Sequence, residues 1–234
     1  MNIVVYFSGG VDSTGALLWA VRVFGQEKVH ALHAVLDTEL PGIYDHVIKI
    51  VEYLEVDYVE IKSLKSLEKE FKIRELPFFA NPWCKKEFVH KPLNKFVRAN
   101  YDPTETLLVF GGNRKEKVDK LLNSDGTFRK AKRTFYKRFS ELKKYPTIQP
   151  FFDWPKQYVI DFIKQEKVPI WEGYEKGFKR TACWICPFQS QKQLHALIRN
   201  EPQLFKKLRK FEKLKGRGIG CKGQSIIDFA LRNL

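Results

Sequence analysis

The stretch Asn2–Thr14 reads NIVVYFSGGVDST and predicts a strand, a tight turn and the start of a helix. Residues 2–7 form a short apolar run rich in β-branched side chains, which is typical of a buried strand. Two glycines interrupt this run, and residues 12–24 then place apolar side chains at helical spacing. In an open parallel sheet, ligands bind at the carboxyl ends of the strands, where this turn is expected. A helix N-terminus preceded by two glycines favours phosphate binding there.

The side chains of this turn support the same interpretation. Serine and threonine hydroxyls add hydrogen-bond donors, and Asp12 suits a magnesium ion that would bridge it to the phosphates of a nucleotide. The alternative is an ordinary capped turn, which would explain one glycine and one serine but not the whole heptapeptide. The predicted nucleotide-binding residues of this loop are Ser8, Gly9, Gly10, Asp12, Ser13 and Thr14.

The chain downstream predicts an α/β fold with a parallel sheet. Apolar strand patterns recur at 29–36, 56–61 and 106–110, with a helical pattern at 43–54, which is the order of βαβ units. Residues 113–147 are basic and weakly periodic, so we expect a long loop or mobile insertion there. Further helices are predicted at 155–165, 191–199, 202–214 and 225–231. We therefore expect a nucleotide-binding domain over 1–190 and a helical, cysteine-containing extension over 191–234 packed on the same domain.

The charge of the chain is concentrated in two segments. The formal net charge is +15, and residues 113–144 and 192–222 each carry a net charge of +8, so the remainder is close to neutral. A polyanion such as a nucleic acid would bind these two segments. The alternative is a solvated lysine-rich surface, which is common in heat-adapted proteins.

Other compositional features exclude several classes of protein. No apolar run approaches the length of about 18 residues that a membrane span needs, and the first residues lack the basic segment of a signal peptide. A hydrophobic fraction of 44% is enough to build a core. We expect a cytoplasmic protein without a membrane partner.

Four cysteines are too few for a disulfide scaffold in a chain of 234 residues. Cys183 and Cys186 form a C-x-x-C pair, Cys84 is expected in a proline- and aromatic-rich loop, and Cys221 lies between glycines. Four thiolates are what either a structural zinc ion or an iron–sulfur cluster requires. The alternative is a set of unrelated buried thiols with one redox pair.

Several motifs together resemble those of one known family. The heptapeptide at 8–14 resembles the pyrophosphate-binding loop (PP-loop) of the adenine nucleotide alpha hydrolase superfamily, whose members include ATP pyrophosphatases. The other matching stretches are Asp37–Pro41, Trp83-Cys84 followed by Lys91-Pro92, Gly111–Glu116, Pro150–Trp154, Tyr174–Arg180 and Ala182–Phe188. In this order they resemble the phosphoadenosine phosphosulfate (PAPS) reductase family, over about residues 3–190.

The resemblance implies an adenine-nucleotide-binding α/β domain. It adds Asp37 to the nucleotide-binding residues, and it implies a 4Fe-4S cluster held by Cys84, Cys183 and Cys186, with Cys221 as a fourth candidate ligand. The cysteine spacing alone does not choose between this cluster and zinc. Arg114 is the best further phosphate ligand because a guanidinium fork matches phosphate geometry, and Lys91 and Arg180 follow it.

Two departures from the family pattern bear on the reaction. Members that reduce adenylyl sulfates usually have a degraded phosphate loop, whereas Ser8–Thr14 is intact. Reductases also carry a C-terminal Glu-Cys-Gly motif ending in Ile-His or Leu-His, whereas Cys221 has neither Glu nor His beside it. The first hypothesis is therefore an enzyme that uses ATP and Mg²⁺ to adenylate an acceptor, so that sulfur can replace the adenylated oxygen. Its predicted catalytic residues are Asp12, Ser13 and Arg114.

Two other hypotheses remain open. The second is an adenylyl-sulfate or PAPS reductase that releases sulfite, with Cys221 as its nucleophile. The third is a non-enzymatic module that binds a nucleotide or a nucleic acid, against which Asp12 argues. The sequence leaves the acceptor, the sulfur donor or reductant, and the choice between a monomer and a homodimer undetermined.

Overall fold

The computed structural model describes residues 1–74, 77, 82–112 and 140–215, together with positions 225, 228 and 230. The predicted sites at Arg114 and Cys221 and most of the basic segment 113–144 lie outside these residues. Most of the predicted helix at 225–231 also does. In the part of the chain that is described, no helix is both long enough and apolar enough to cross a membrane.

The described chain confirms the predicted α/β fold around a five-stranded parallel sheet. Its strands are β1 Asn2–Tyr6, β2 Val29–Val35, β3 Asp57–Lys62, β4 Thr106–Phe110 and β5 Thr147–Ile148. They lie in the order β3-β2-β1-β4-β5. The direction in which strands are added therefore reverses at β1, with β2 on one side and β4 on the other. Such a reversal opens a crevice at the carboxyl ends of the strands.

The strand β5 was not predicted from the sequence. It includes the last residue of the segment 113–147, since Thr147 pairs with Leu108 and Ile148 with Val109, both in parallel register. The prediction of a loop or insertion over the rest of this segment stays a prediction. A strand of two residues has no alternating pattern that a sequence could display. A single helical turn at Ser140–Leu142 precedes this strand.

The helices cover the predicted segments that lie within the described residues, and three further helices were not predicted. The principal helices are α1 Val11–Phe24, α2 Ile43–Tyr53, α3 Leu67–Ile73, α4 Trp83–Lys85, α5 Lys91–Asn100, α6 Lys156–Gln165, α7 Gln191–Asn200 and α8 Pro202–Lys215. Those not predicted are α3, α4 and α5. The predicted loop around Cys84 is wrong, because Cys84 lies in α4, which continues through a π-helical turn at Lys86–His90 into α5. Pro82 precedes the first turn of α4, where proline is tolerated. Pro92 follows the π-helical turn, in which the regular hydrogen bonding of an α-helix is already interrupted.

The described chain forms two compact units. The first comprises Met1–His33, His46–Ile61 and Leu93–Ile170, and it contains β1, β4 and α1. Its core is built on fully buried strand residues such as Ile3, Val5 and Leu108, with Leu17 of α1. The boundary predicted at residue 190 stays a prediction.

The second unit comprises Ala34–Asp45, Lys62–Pro92 and Trp171–Leu234. It has an aromatic-rich core of its own, in which Phe71, Trp83, Trp171 and Trp184 are all buried. Cys84 and Cys183 pack against this core. The helices α7 and α8 confirm the expected helical C-terminal region and pack on each other within this unit.

Candidate functional site

The loop between β1 and α1 has the backbone geometry of an anion-binding turn. Gly9 has a φ of 68°, a left-handed conformation that glycine adopts without strain. Gly10 is extended at the N-cap of α1, and among the described residues no side chain makes a capping hydrogen bond there. The first N–H groups of a helix have no partner within the helix. Where no side chain caps the helix, these N–H groups can bind an anion. Because the loop lies at the carboxyl end of β1, this anion would sit where the strand order reverses.

Hydrogen bonds of the two serines stabilise the tight turn of this loop. The Ser8 N–H donates to Ser13 Oγ at 3.2 Å, and the Ser13 hydroxyl donates to the Gly10 carbonyl at 2.9 Å. The two hydroxyl oxygens are 3.1 Å apart. Ser13 and Thr14 are both buried. Ser13, a predicted catalytic residue, therefore shapes the loop in this structure, whereas Ser8 at its mouth is exposed.

Asp12 lies in the first turn of α1 and is half-buried. The helix dipole stabilises a negative charge at this position. A carboxylate held beside a phosphate site is a suitable ligand for a hydrated magnesium ion, because Mg²⁺ prefers oxygen ligands and keeps several of its waters. The position is therefore compatible with the predicted role, which stays a prediction.

Gly111 packs directly against the phosphate loop, a contact that could not be predicted from the sequence. A Cβ atom at Gly111 would lie 2.5 Å from the Ser13 backbone nitrogen and 2.6 Å from the Asp12 carbonyl carbon. Backbone atoms cannot move aside as a flexible side chain can, so only glycine fits while α1 keeps its position. At the neighbouring Gly112, the closest atom to such a Cβ is the Gln149 side-chain nitrogen at 3.3 Å.

This contrast gives a matched pair of substitutions. Gly111→Ala should displace the first turn of α1 and weaken ATP binding by about 10-fold or more, since misplacing a site by about 1 Å is costly. Gly112→Ala should leave binding within about 2-fold, because the Gln149 side chain can rotate away. Isothermal titration with an ATP analogue that cannot be hydrolysed measures both affinities. Equal affinities in the two variants would contradict the close approach at Gly111.

Asp37 follows β2 and caps the helix α3. Its carboxylate accepts hydrogen bonds from the Ser66 hydroxyl at 2.5 Å and from the Leu67 N–H at 3.0 Å. Ser66 in turn accepts from the Lys69 N–H at 3.1 Å. Asp37 thus holds the first turn of α3 in this structure, and its predicted nucleotide contact stays a prediction.

The turn after Asp37 pairs with the C-x-x-C segment, which the sequence did not predict. Glu39 and Cys183 form an antiparallel bridge. The Leu40 N–H donates to the Ala182 carbonyl at 3.1 Å, and the Trp184 N–H donates to the Thr38 carbonyl at 2.9 Å. Two motifs that are about 145 residues apart in the sequence therefore form one structural feature of the second unit.

Cys183 and Cys186 lie on one tight turn, in which the Cys186 N–H donates to the Cys183 carbonyl at 3.2 Å. Burial raises the pKa of both thiols, and a neighbouring Cys186 charge would raise that of Cys183 further. The Phe188 N–H beside Cys186 lowers the pKa of that thiol, and the Thr38 hydroxyl beside Cys183 acts on the pKa of Cys183 in the same direction. Arg180 Nη2 lies 3.8 Å from Cys186 Sγ and donates to the Phe188 carbonyl at 3.0 Å.

Cys84 belongs to the same group of thiols. Burial raises its pKa to about 11, with a second contribution from Cys186, while the N–H groups of Lys85 and Cys84 itself lower it. The mutual effects on pKa indicate that the three thiols share one neighbourhood. Within the described ranges, however, no three Cys, His, Asp or Glu side chains converge closely enough to hold a single metal ion.

The remaining predicted residues are placed as follows. Lys91 is exposed at the start of α5. Arg180 is exposed and holds the cysteine turn through the contacts given above. Arg114 and Cys221 lie outside the described residues, so their predicted roles stay predictions.

A comparison with models of protein families identifies the family to which the chain belongs. Residues 2–189 match the model of the phosphoadenosine phosphosulfate reductase domain. The chain belongs to the PAPS reductase domain family. This confirms the resemblance inferred from the motifs, and the matched residues include both the phosphate loop and the C-x-x-C pair.

Two proteins are similar in sequence to this PAPS reductase domain. Two uncharacterized proteins of Methanocaldococcus jannaschii are 29% identical over 208 residues and 26% identical over 204 residues. These matches cover 88% and 86% of this chain but only 40% and 45% of the relatives, so the chain spans less than half of their length.

Two solved structures of other proteins are similar to this chain, and the first of them shows the same fold. A PAPS reductase from Candida auris in complex with phosphate has a TM-score of 0.53 and 15% identity, over 79% of this chain and 82% of that one. A tRNA thiolase from Methanococcus maripaludis with its 4Fe-4S cluster has a TM-score of 0.48 and 17% identity, over 95% of this chain and 74% of that one.

Proposed function

We propose that this PAPS reductase domain uses ATP to adenylate an oxygen of an acceptor, so that sulfur can replace that oxygen. The observation that carries the proposal is the complete phosphate loop, with Gly9 in the left-handed conformation and no side-chain cap at Gly10 among the described residues. Such a loop suits the β- and γ-phosphates of ATP, which an adenylyl sulfate lacks. The intact heptapeptide thus favours ATP cleavage over reduction of an adenylyl sulfate.

In the adenylation step, the acceptor oxygen forms a bond to the α-phosphorus of ATP. The bond between that phosphorus and the α–β bridging oxygen breaks, and pyrophosphate leaves with the electron pair. The backbone N–H groups at the start of α1 stabilise the negative charge that develops on this leaving group. A magnesium ion, when bound, would neutralise part of the same charge, and Asp12 is the residue that would hold it.

In the second step, a sulfur donor attacks the activated carbon of the acceptor and AMP leaves. The described thiols are suited to a cofactor in this step, because three partly buried thiolates in one neighbourhood are unstable without a compensating positive charge. They fit an iron–sulfur cluster better than a single zinc ion, since a cluster binds each thiolate through a different iron and needs no convergence on one point. Cys84, Cys183 and Cys186 would hold the cluster, with Cys221 as the candidate fourth ligand.

The contacts around the three sulfurs support this assignment. Backbone N–H groups beside Cys84 and Cys186 lower the pKa of these two thiols, and such groups stabilise metal-bound thiolates and tune the potential of a cluster. The Arg180 guanidinium beside Cys186 adds a positive charge to the same turn.

The substrate that is consumed distinguishes the proposed reaction from a reductase. The protein, purified under anaerobic conditions and supplied with Mg²⁺ and total cellular RNA, should release pyrophosphate from ATP. The same preparation should release no sulfite from adenylyl sulfate or PAPS in the presence of a thiol reductant. Sulfite release without pyrophosphate release would reject the proposal in favour of a reductase with Cys221 as its nucleophile.

A further inference from the structure

The helix α8 (Pro202–Lys215) has one face in the core and one face of uniform charge. Leu208 and Phe211 are buried in the core of the second unit. The opposite face exposes four cations, which are Lys206, Arg209, Lys210 and Lys213. Lys207 is also exposed, but its ammonium lies 5.9 Å from the centre of the Trp184 ring and so contributes to packing.

The four cations form a single stripe. They are spaced at i, i+3, i+4 and i+7, which places them on one line along a helix surface. At a rise of about 1.5 Å per residue, the stripe is about 10 Å long. With a phosphate about every 3.4 Å of axis on each strand of a duplex, that length spans about three intervals and so about four successive phosphates.

No acidic side chain of the described residues neutralises the stripe. The single carboxylate of α8, Glu212, is buried and accepts a hydrogen bond from the Ser225 hydroxyl at 3.1 Å. Elsewhere the chain does pair such cations, since Lys72 of α3 binds Glu68 at 3.1 Å and Arg74, directly after α3, binds Glu70 at 3.6 Å. Like charges three and four residues apart destabilise a helix, so the stripe is not explained as a stabilising surface.

We infer that the exposed face of α8 binds the phosphodiester backbone of a nucleic acid. The inference rests on the proposed function and deepens it, because it names nucleic acid as the class of acceptor. Lys206, Arg209, Lys210 and Lys213 each contact a phosphate, and the contact carries no sequence specificity of its own.

The composition of the exposed face of α8 favours a nucleic acid over a membrane surface or an acidic protein, which are also attracted by positive charge. A membrane-surface helix inserts apolar side chains into the lipid, but the large apolar side chains of α8 other than Leu214 face the core or are partly buried against it. A protein interface is usually anchored by exposed aromatic or aliphatic residues, and among the described residues of this face only Leu214 is of that kind. A phosphate backbone needs charge alone.

The test uses the full chain and a fluorescein-labelled RNA duplex of about 20 base pairs, without ATP. The quadruple variant Lys206→Gln, Arg209→Gln, Lys210→Gln and Lys213→Gln should bind at least about 10-fold more weakly at 100 mM salt. The slope of log affinity against log salt should become shallower by about 3.6, since each phosphate contact contributes about 0.9. The single variant Lys210→Gln should change the slope by about 0.9.

A charge-matched control separates the stripe from the general basicity of the chain. The variant Lys28→Gln, Lys69→Gln, Lys95→Gln and Lys164→Gln removes four exposed, scattered cations and should leave the slope within about one unit of the wild type. Circular dichroism should show that the α8 variants stay folded, and Lys210→Gln alone keeps the test valid if the quadruple variant does not.

Three outcomes would overturn the inference. The first is equal RNA affinity and salt slope in the wild type, the α8 variants and the control. The second is no RNA binding by the wild type at 50 mM salt. The third is binding to phosphatidylserine vesicles that is as tight as to RNA and equally sensitive to the α8 substitutions. Because binding is measured without ATP, these outcomes are independent of pyrophosphate release, which tests the proposed function separately.

Discussion

Asp12→Ala should reduce magnesium-dependent cleavage of ATP by at least about 10²-fold, while the protein stays folded. Removing one group that stabilises charge in a transition state typically has an effect of this size, and Asp12 is the only carboxylate inside the phosphate loop. The magnesium dependence of ATP binding should weaken as well. Pyrophosphate release and titration calorimetry with and without Mg²⁺ measure the two effects.

Asp45→Ala is the matched control for this substitution. Asp45 is an exposed carboxylate in the first turn of α2, so its loss removes a similar interaction with a helix dipole but nothing from the loop. It should leave ATP cleavage within about 2-fold of the wild type. If Asp12→Ala and Asp45→Ala were equally active, the assignment of Asp12 to magnesium would be wrong.

Cys183→Ser and Cys186→Ser should each abolish the iron–sulfur cluster. The wild-type protein, purified under anaerobic conditions, should be brown and contain about four iron atoms per chain. Each variant should lose the visible absorption and retain less than about one iron atom, because a serine hydroxyl is a poor replacement for a thiolate. Iron analysis and the visible spectrum give the result without any assay of activity.

Thr38→Val is the control for local disturbance, since Thr38 lies beside Cys183 but supplies no thiolate. This variant should keep its iron and at most shift the reduction potential. If the wild-type protein were colourless and contained one zinc ion, the site would be a structural zinc site and not a cluster. A wild-type protein without any metal would contradict both the cluster and the zinc site.

The same measurements determine the role of Cys221. If Cys221 is a ligand, Cys221→Ser should deplete or destabilise the iron. If it is a nucleophile, this variant should keep its iron and lose any release of sulfite. Full iron content together with lost sulfite release would favour the reductase.

The sheet and its phosphate loop could be predicted because their signals are local. The apolar run of β1, the two glycines and the amphipathic pattern of α1 occupy 23 consecutive residues, from Asn2 to Phe24. Their β-branched content and helical spacing act over short distances, so the sequence predicts them almost to the residue. The strand β4 was predicted with the bounds that the structure has.

The helical segment around Cys84 was missed because local signals opposed it. Pro82, Pro92 and several aromatic side chains suggested a loop, whereas burial of Trp83 and Phe88 in the second unit stabilises the helix instead. Tertiary burial outweighs local propensity in such a case.

The internal contacts of the candidate site could not be predicted from the sequence either. The bridge between Glu39 and Cys183 joins segments far apart in the chain, and no pattern in one sequence reports such a pairing. The need for glycine at Gly111 arises from the backbone of Ser13, which is nearly 100 residues away. The sequence could name both motifs, but only the fold shows which atoms they bring together.

The most direct measurement is the identity of the products formed from ATP labelled at the α-phosphate. In the presence of Mg²⁺ and total RNA, thin-layer chromatography should show the label in AMP or in adenylated RNA, with pyrophosphate as the other product and no labelled ADP. Asp12→Ala should form neither labelled product. Labelled ADP with inorganic phosphate, or no conversion of ATP while adenylyl sulfate is reduced to sulfite, would contradict the proposed adenylation.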